Sequence, residues 1–166
     1  MYTIISATNR TDSHTEKVAK QYQNILKEKK IDAPIFSLRN LNVLDRNEEF
    51  INAENKYLIP ALKFIFIMPE YNGSFPGVLK ALVDASDIRK CWWNKKALLT
   101  GISTGRAGNL RGMEHMTGIL NYLKVIVHHN KLPISVIDKV MNKEGEIVNY
   151  NTLLAIDQQL QEFINF

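Results

Sequence analysis

The stretch PEYNGSFPGVLK, Pro69 to Lys80, sets a carboxylate, a phenol ring and an amide between two prolines, directly after the apolar run Leu62 to Met68. Pro69 lacks the N–H that a strand ladder needs, and Gly73 reaches backbone conformations closed to other residues. Pro76 suits the first turn of a helix, with Ser74 as its expected N-cap. All of this would serve a plain strand-to-helix turn. Glu70, Tyr71 and Asn72 in succession add something else: a charge, an aromatic face and a hydrogen-bonding amide, the groups that line a crevice for a flat polar ligand.

Two further stretches carry chemistry. In Ala7-Thr8-Asn9-Arg10-Thr11-Asp12-Ser13-His14-Thr15, Ser13 and Glu16 have the S-x-x-E spacing of a capping box, so a helix is expected to begin here. A helix N-terminus offers unpaired N–H groups and partial positive charge, and Arg10 with four hydroxyl residues completes a donor set suited to a phosphate. A capped helix behind a polar surface loop has the same composition. The stretch contains no glycine and matches neither G-x-G-x-x-G nor the Walker A pattern, which favours a phosphomonoester over a dinucleotide or a nucleoside triphosphate. In Ser103-Thr104-Gly105-Arg106-Ala107-Gly108-Asn109, two glycines three residues apart let the backbone approach a flat ligand and turn N–H groups toward its carbonyl oxygens. Glycines are also common in ordinary strand-to-helix loops.

These three stretches need elements to bring them together. Runs resembling buried strands occur at Tyr2 to Ala7, Ala33 to Leu38, Leu62 to Met68, Ala97 to Ile102 and Val125 to His128, with a continuation at Leu132 to Val136. Helical periodicity appears around Val18, Ala19, Tyr22, Ile25 and Leu26, around Val78, Leu79, Leu82 and Val83, and around Met113, Met116, Leu120 and Leu123. A last helix is expected near Tyr150 to Phe163, while the connection around Asn47 to Ile59 reads less clearly. Alternation of strand and helix implies an α/β domain, a parallel sheet covered by helices on both faces, with the ligand crevice beyond the carboxyl ends of the strands. The loops after strands one, three and four should then lie side by side. No repeat or linker divides the chain, so residues 1–166 are expected to form one domain.

Taken together, the three loops resemble the NADPH-dependent FMN reductase family, whose members include quinone, azo-dye and chromate reductases. The family motif P-E-Y-N-x-S-x-P-G-x-L-K is matched at every specified position by Pro69 to Lys80, G-S-x-R-x-x-S is approximated by Ala7 to Ser13, and the third loop is similar from Ser103 to Gly108. The resemblance runs from Thr3 to about Val136. It implies a flavodoxin-like three-layer fold with a five-stranded sheet in the order 2-1-3-4-5. It also implies that Thr8, Arg10, Ser13, His14 and Thr15 hold the FMN phosphate. Pro69, Glu70, Tyr71, Asn72 and Gly73 would line the isoalloxazine ring, and Ser103, Gly105, Arg106 and Gly108 would border its pyrimidine side. The implied activity is hydride transfer from NADPH or NADH through flavin N5 to a small-molecule acceptor such as a quinone, an azo compound or free flavin, in a homodimer or homotetramer. No side chain is required as acid, base or nucleophile, so none is assigned as catalytic. Ala7, Thr8 and Met68 depart from the pattern, and no tryptophan follows Asp84. A flavodoxin-type electron carrier and a non-enzymatic FMN-binding sensor are the competing functions.

Composition bounds the setting. The basic residues behind a net charge of +4 are dispersed, which argues against nucleic-acid binding, and no apolar run is long enough for a membrane span. The single cysteine, Cys91, suits a reducing cytoplasm and is expected to be inert. His128-His129 suggests a metal pair, but neighbours on a strand face opposite ways, and no metal site is expected. Trp92-Trp93 is expected at a subunit contact or over the nicotinamide pocket. Arg111 and Glu114 are expected to pair at i, i+3, and Lys27, Lys29 and Lys30 to complement the first helix's dipole.

Overall fold

Near-continuous apolar sequence marks strands covered on both sides, and the sheet is built from such runs. The structure is a computed structural model describing residues 1–166. Its strands are β1 (Tyr2–Ser6), β2 (Ile35–Ser37), β3 (Lys63–Pro69), β4 (Lys96–Ile102), β5 (Ile126–Val127) and β6 (Leu132–Ile134). All pair in parallel in the order β2-β1-β3-β4-β5, the flavodoxin-like order, and β6 also pairs with β4. The fifth strand is therefore interrupted: β5 lies beside Lys96 and Ala97, and β6 beside Thr100 to Ile102. The sheet is six-stranded where five strands were expected.

The helices are α1 (His14–Glu28), α2 (Glu48–Ala53), α3 (Gly77–Ala85), α4 (Ile88–Cys91), α5 (Leu110–Tyr122) and α6 (Tyr150–Asn165). Alternate strand residues feed two cores. Phe64, Phe66 and Met68 of β3 pack with α3 and α5 on one face, and Ile65 and Ile67 pack with α1 and α6 on the other. Removing one of these phenylalanines would cost about 3–5 kcal/mol. Within the second core, Tyr22 bonds to Thr100 Oγ1 (3.0 Å) and Gln159 Oε1 (2.9 Å), so the buried polar groups satisfy one another.

The unclear connection resolves into α2 followed by a π-helical turn, Glu54–Leu58. The buried Glu54 carboxylate anchors this turn, accepting from Arg46 at 2.6 Å and from the backbone N–H of Asp87 at 2.7 Å. Trp92 is wholly buried against Phe64 and Phe66, and its indole N–H donates to Ser86 Oγ at 2.7 Å. Trp92 belongs to the core, not to a subunit contact or a nicotinamide pocket, whereas Trp93 is half-buried, with the Arg89 and Lys124 cations 5.2 and 3.9 Å from its ring centre. Glu114 pairs with Lys131 at 2.6 Å in place of Arg111, and Lys29 reaches Asp157 at 2.7 Å. No helix is long and apolar enough to cross a membrane.

Candidate cofactor site

Ala7 N donates to Ile67 O at 3.0 Å, and Glu70 N donates to Ile102 O at 2.8 Å. These bonds set the ends of β1, β3 and β4 side by side, so the loops that leave them converge. The result is a cleft of about 440 Å³ lined by residues of all three stretches, a volume within the range of about 300–1,000 Å³ usual for small-ligand sites. Arg10, Ser13, His14 and Thr15 line one part, Pro69, Glu70, Tyr71 and Asn72 another, and Ser103 a third.

The N-terminus of α1 faces this cleft. Ser13 is its N-cap, with Oγ accepting from Glu16 N at 3.2 Å. Only half of a capping box forms, because the Glu16 carboxylate turns to Lys20 and Arg39. The first N–H groups of a helix have no partner within it, so those of His14 and Thr15 are available to an anion. The His14 ring is held at the cleft's edge, its Nε2 3.1 Å from Asp138 Oδ1 and its Nδ1 3.2 Å from Met141 Sδ. The Arg10 guanidinium lies over the Tyr71 ring, 4.2 Å from its centre, and binds the first loop to the second. Thr8 is buried beneath them: its Oγ1 contacts Tyr71 Oη at 2.6 Å and accepts from Arg10 N at 3.2 Å.

The second loop is a tight turn. Asn72 and Gly73 have φ of 51° and 78°, and Tyr71 and Ser74 exchange backbone bonds of 2.8 and 3.1 Å. Positive φ at both central residues is the requirement of a type I′ turn, for which Asn-Gly is the preferred pair. Ser74 is thus the end of a turn and not the N-cap of α3. Pro76 holds that position with extended backbone, and Ser74 Oγ bonds to His115 Nδ1 at 2.9 Å.

The third loop is knitted by its own serine. Ser103 Oγ donates to Gly105 O and accepts from Gly108 N, both at 2.9 Å. Gly108 has φ of +55°, and a Cβ there would lie 2.6 Å from Pro133, so this glycine serves the close approach of β6. Thr8, Gly73 and Gly108 shape the loops beneath the cleft, and neither these nor Gly105 and Arg106 are among its lining residues. Thr11, Asp12, Thr104, Ile102 and Ile137 do line it, beyond the residues expected from sequence. Ile137 arrives from a 3₁₀ turn after β6, far along the chain from any motif.

Asn109 is the residue most easily overlooked. Wholly buried at φ +61°, it donates from Nδ2 to Met68 O and Pro69 O, each at 3.0 Å, and its N–H reaches Glu70 Oε2 at 3.3 Å. The third loop is thereby pinned to the second. Gly112 leaves the necessary space, since a Cβ there would come within 2.1 Å of Asn109 Oδ1.

The NADPH-dependent FMN reductase model matches residues 2–136. The chain belongs to the NADPH-dependent FMN reductase family. A 2-hydroxy-1,4-benzoquinone reductase of a Burkholderia species is 27% identical over 108 residues, 63% of this chain and 59% of that protein. An NAD(P)H-dependent FMN reductase of Pseudomonas aeruginosa is 31% identical over 100 residues, 58% of this chain and 54% of that protein. The matches thus span little more than half the length of either relative. Among solved structures, the flavoenzyme NAD(P)H:(acceptor) oxidoreductase FerB of Paracoccus denitrificans superposes with a TM-score of 0.79 at 19% identity, covering 99% of this chain and 94% of that one. At that identity the likeness is one of fold.

Proposed function

We propose that this protein is an FMN-dependent NAD(P)H oxidoreductase that reduces a quinone, an azo compound, free flavin or a similar small acceptor. The observation that carries the reading is the convergence of three loops on one cleft, with a hydroxyl-rich helix N-terminus in the first and a stiff Tyr71-bearing turn in the second. The donor set fits FMN. Arg10, the hydroxyls of Ser13 and Thr15, and the free N–H groups at the start of α1 would hold the phosphate. Pro69 to Asn72 would support the ring, with Ser103 and Thr104 bordering its polar edge, while Thr8, Gly73, Gly105, Arg106 and Gly108 maintain the loop shapes.

The bound flavin would supply the hydride exchange itself, from NADH or NADPH through N5 to the acceptor. The protein's part is orientation and electrostatics. Asn109 and the type I′ turn fix the second loop against the third, which keeps the ring's supports from shifting, and backbone N–H groups near the ring's polar edge favour negative charge there. Ile88 and Tyr122, both exposed, share an apolar surface groove with Ile119 and Leu123, a face that a second copy of the chain would cover in a homodimer or homotetramer.

Oxidation of NADH and NADPH by the purified full chain, with added FMN and benzoquinone, tests this reading. Turnover that requires both flavin and quinone supports it. Bound FMN without any turnover would indicate a sensor. Bound FMN that NAD(P)H leaves oxidised, while a reduced partner protein reduces it, would indicate an electron carrier.

A further inference from the structure

Strand geometry would point His128 and His129 to opposite faces, but β5 ends at Val127, and the two histidines lie in the bend that follows. Their rings sit together, 4.4 Å between centres and tilted by 34°. Helix α6 brings Glu162 to the same place, and the nearest ligand atoms of His128, His129 and Glu162 all lie within 4.8 Å of one another. We propose that these three side chains bind a divalent transition-metal ion of the zinc class, fastening α6 to the connection between β5 and β6.

The surroundings are those of a supported ligand set. Asn130 Nδ2 donates to Glu162 Oε2 at 2.8 Å, and Gln158 Nε2 donates to Oε1 at 2.9 Å, so the carboxylate is oriented by two amides. The next residue on the helix, Gln159, is wholly buried and donates to Asn130 O at 2.9 Å and to Leu99 O at 3.1 Å. That pair of bonds fixes the register of α6 on the bend. His128 is buried between the rings of Phe163 and Phe166, while His129 is exposed. Lys63, whose charge opposes a cation, has its ammonium held by the carbonyls of Phe163 and Ile164 at 2.9 and 3.0 Å.

Imidazole nitrogen and carboxylate oxygen bind zinc at about 2.0–2.2 Å, which puts tetrahedral ligand atoms roughly 3.4 Å apart. The widest separation must therefore close by up to roughly 1.4 Å, which rotation of the exposed His129 and of Glu162 supplies, the carboxylate exchanging an amide bond and His128 Nδ1 its 3.2 Å bond from Asn130 N for the ion. Two imidazoles with one carboxylate favour zinc, nickel or copper over magnesium or calcium, and water completes the coordination. The site is remote from the cofactor cleft. His128 N bonds to Ala97 O, five residues before Ile102 along β4, which is roughly 16 Å.

Isothermal titration of the untagged full chain, stripped with a chelator and titrated with zinc chloride near neutral pH, tests the proposal. One ion per chain should bind, with Tm rising by roughly 5–10 °C at free zinc near 100 times Kd. His129→Ala and Glu162→Gln should each weaken binding by roughly tenfold or more, His129→Ala leaving the metal-free Tm unchanged, whereas His115→Ala, remote on α5, should bind as the wild type does. Absence of saturable one-to-one binding would overturn the proposal. So would zinc affinity unaffected by His129→Ala.

Discussion

Replacing Asn109 by alanine tests the tie between the second and third loops. The side chain donates two hydrogen bonds of 3.0 Å from a fully buried position, and the backbone sits at φ +61°. Losing the bonds should cost about 1–3 kcal/mol, since the carbonyls of Met68 and Pro69 are left short of a partner and loss of the unpartnered Oδ1 offsets part of it. Alanine adds about 1 kcal/mol for the left-handed backbone, a cost glycine does not carry. Asn109→Ala should therefore lose roughly 2–4 kcal/mol and Asn109→Gly roughly 1–3 kcal/mol, a fall in Tm of about 2–4 °C per kcal/mol. Urea denaturation followed by tryptophan fluorescence reads both variants, because Trp92 is buried in the core. An Asn109→Ala protein within about 0.5 kcal/mol of wild type, or one more stable than Asn109→Gly, would refute the reasoning.

Gly108→Ala combines positive φ with a Cβ 2.6 Å from Pro133 and should cost roughly 2–4 kcal/mol, readable in the same denaturation assay. Burial lowers the Lys95 ammonium from 10.5 to about 8, so between those values the unfolded chain binds more protons and stability climbs with pH. Burial and the Glu54 carboxylate push the Cys91 thiol up to about 12 from 9.0, an effect of opposite sign above pH 9. From pH 7 to pH 9 wild type should gain roughly 1 kcal/mol relative to Lys95→Met; a constant difference across that range would contradict it. Cys91 should also resist iodoacetamide in the native protein at about pH 8 and react in denaturant, and equal rates would show it accessible.

The strands and the convergence of their loops were legible because buried parallel strands read as continuous apolar runs, and ligands of such sheets lie beyond their carboxyl ends, whereas the strand order came only from the family resemblance. The Ser13 cap was legible because its partner is three residues away. What escaped were contacts set by distant chain. Ile137 reaches the cleft only because β6 pairs with the far half of β4, and Glu114 prefers Lys131 because the stretch before β6 passes its helix. The Ser74 expectation failed because Asn72-Gly73 closes a hairpin turn on Ser74, leaving the helix to start from Pro76. Alternation along a strand misled for His128 and His129, since the strand ends one residue too soon.

Titration of the flavin-free protein with FMN and with riboflavin, followed by flavin fluorescence, tests the FMN assignment most directly. One FMN per chain should bind, and riboflavin, which lacks the phosphate, should bind roughly 10–100-fold more weakly, given about 1.5–3 kcal/mol for a charged hydrogen bond at the start of α1. Equal affinity for the two flavins, or binding of neither, would contradict it.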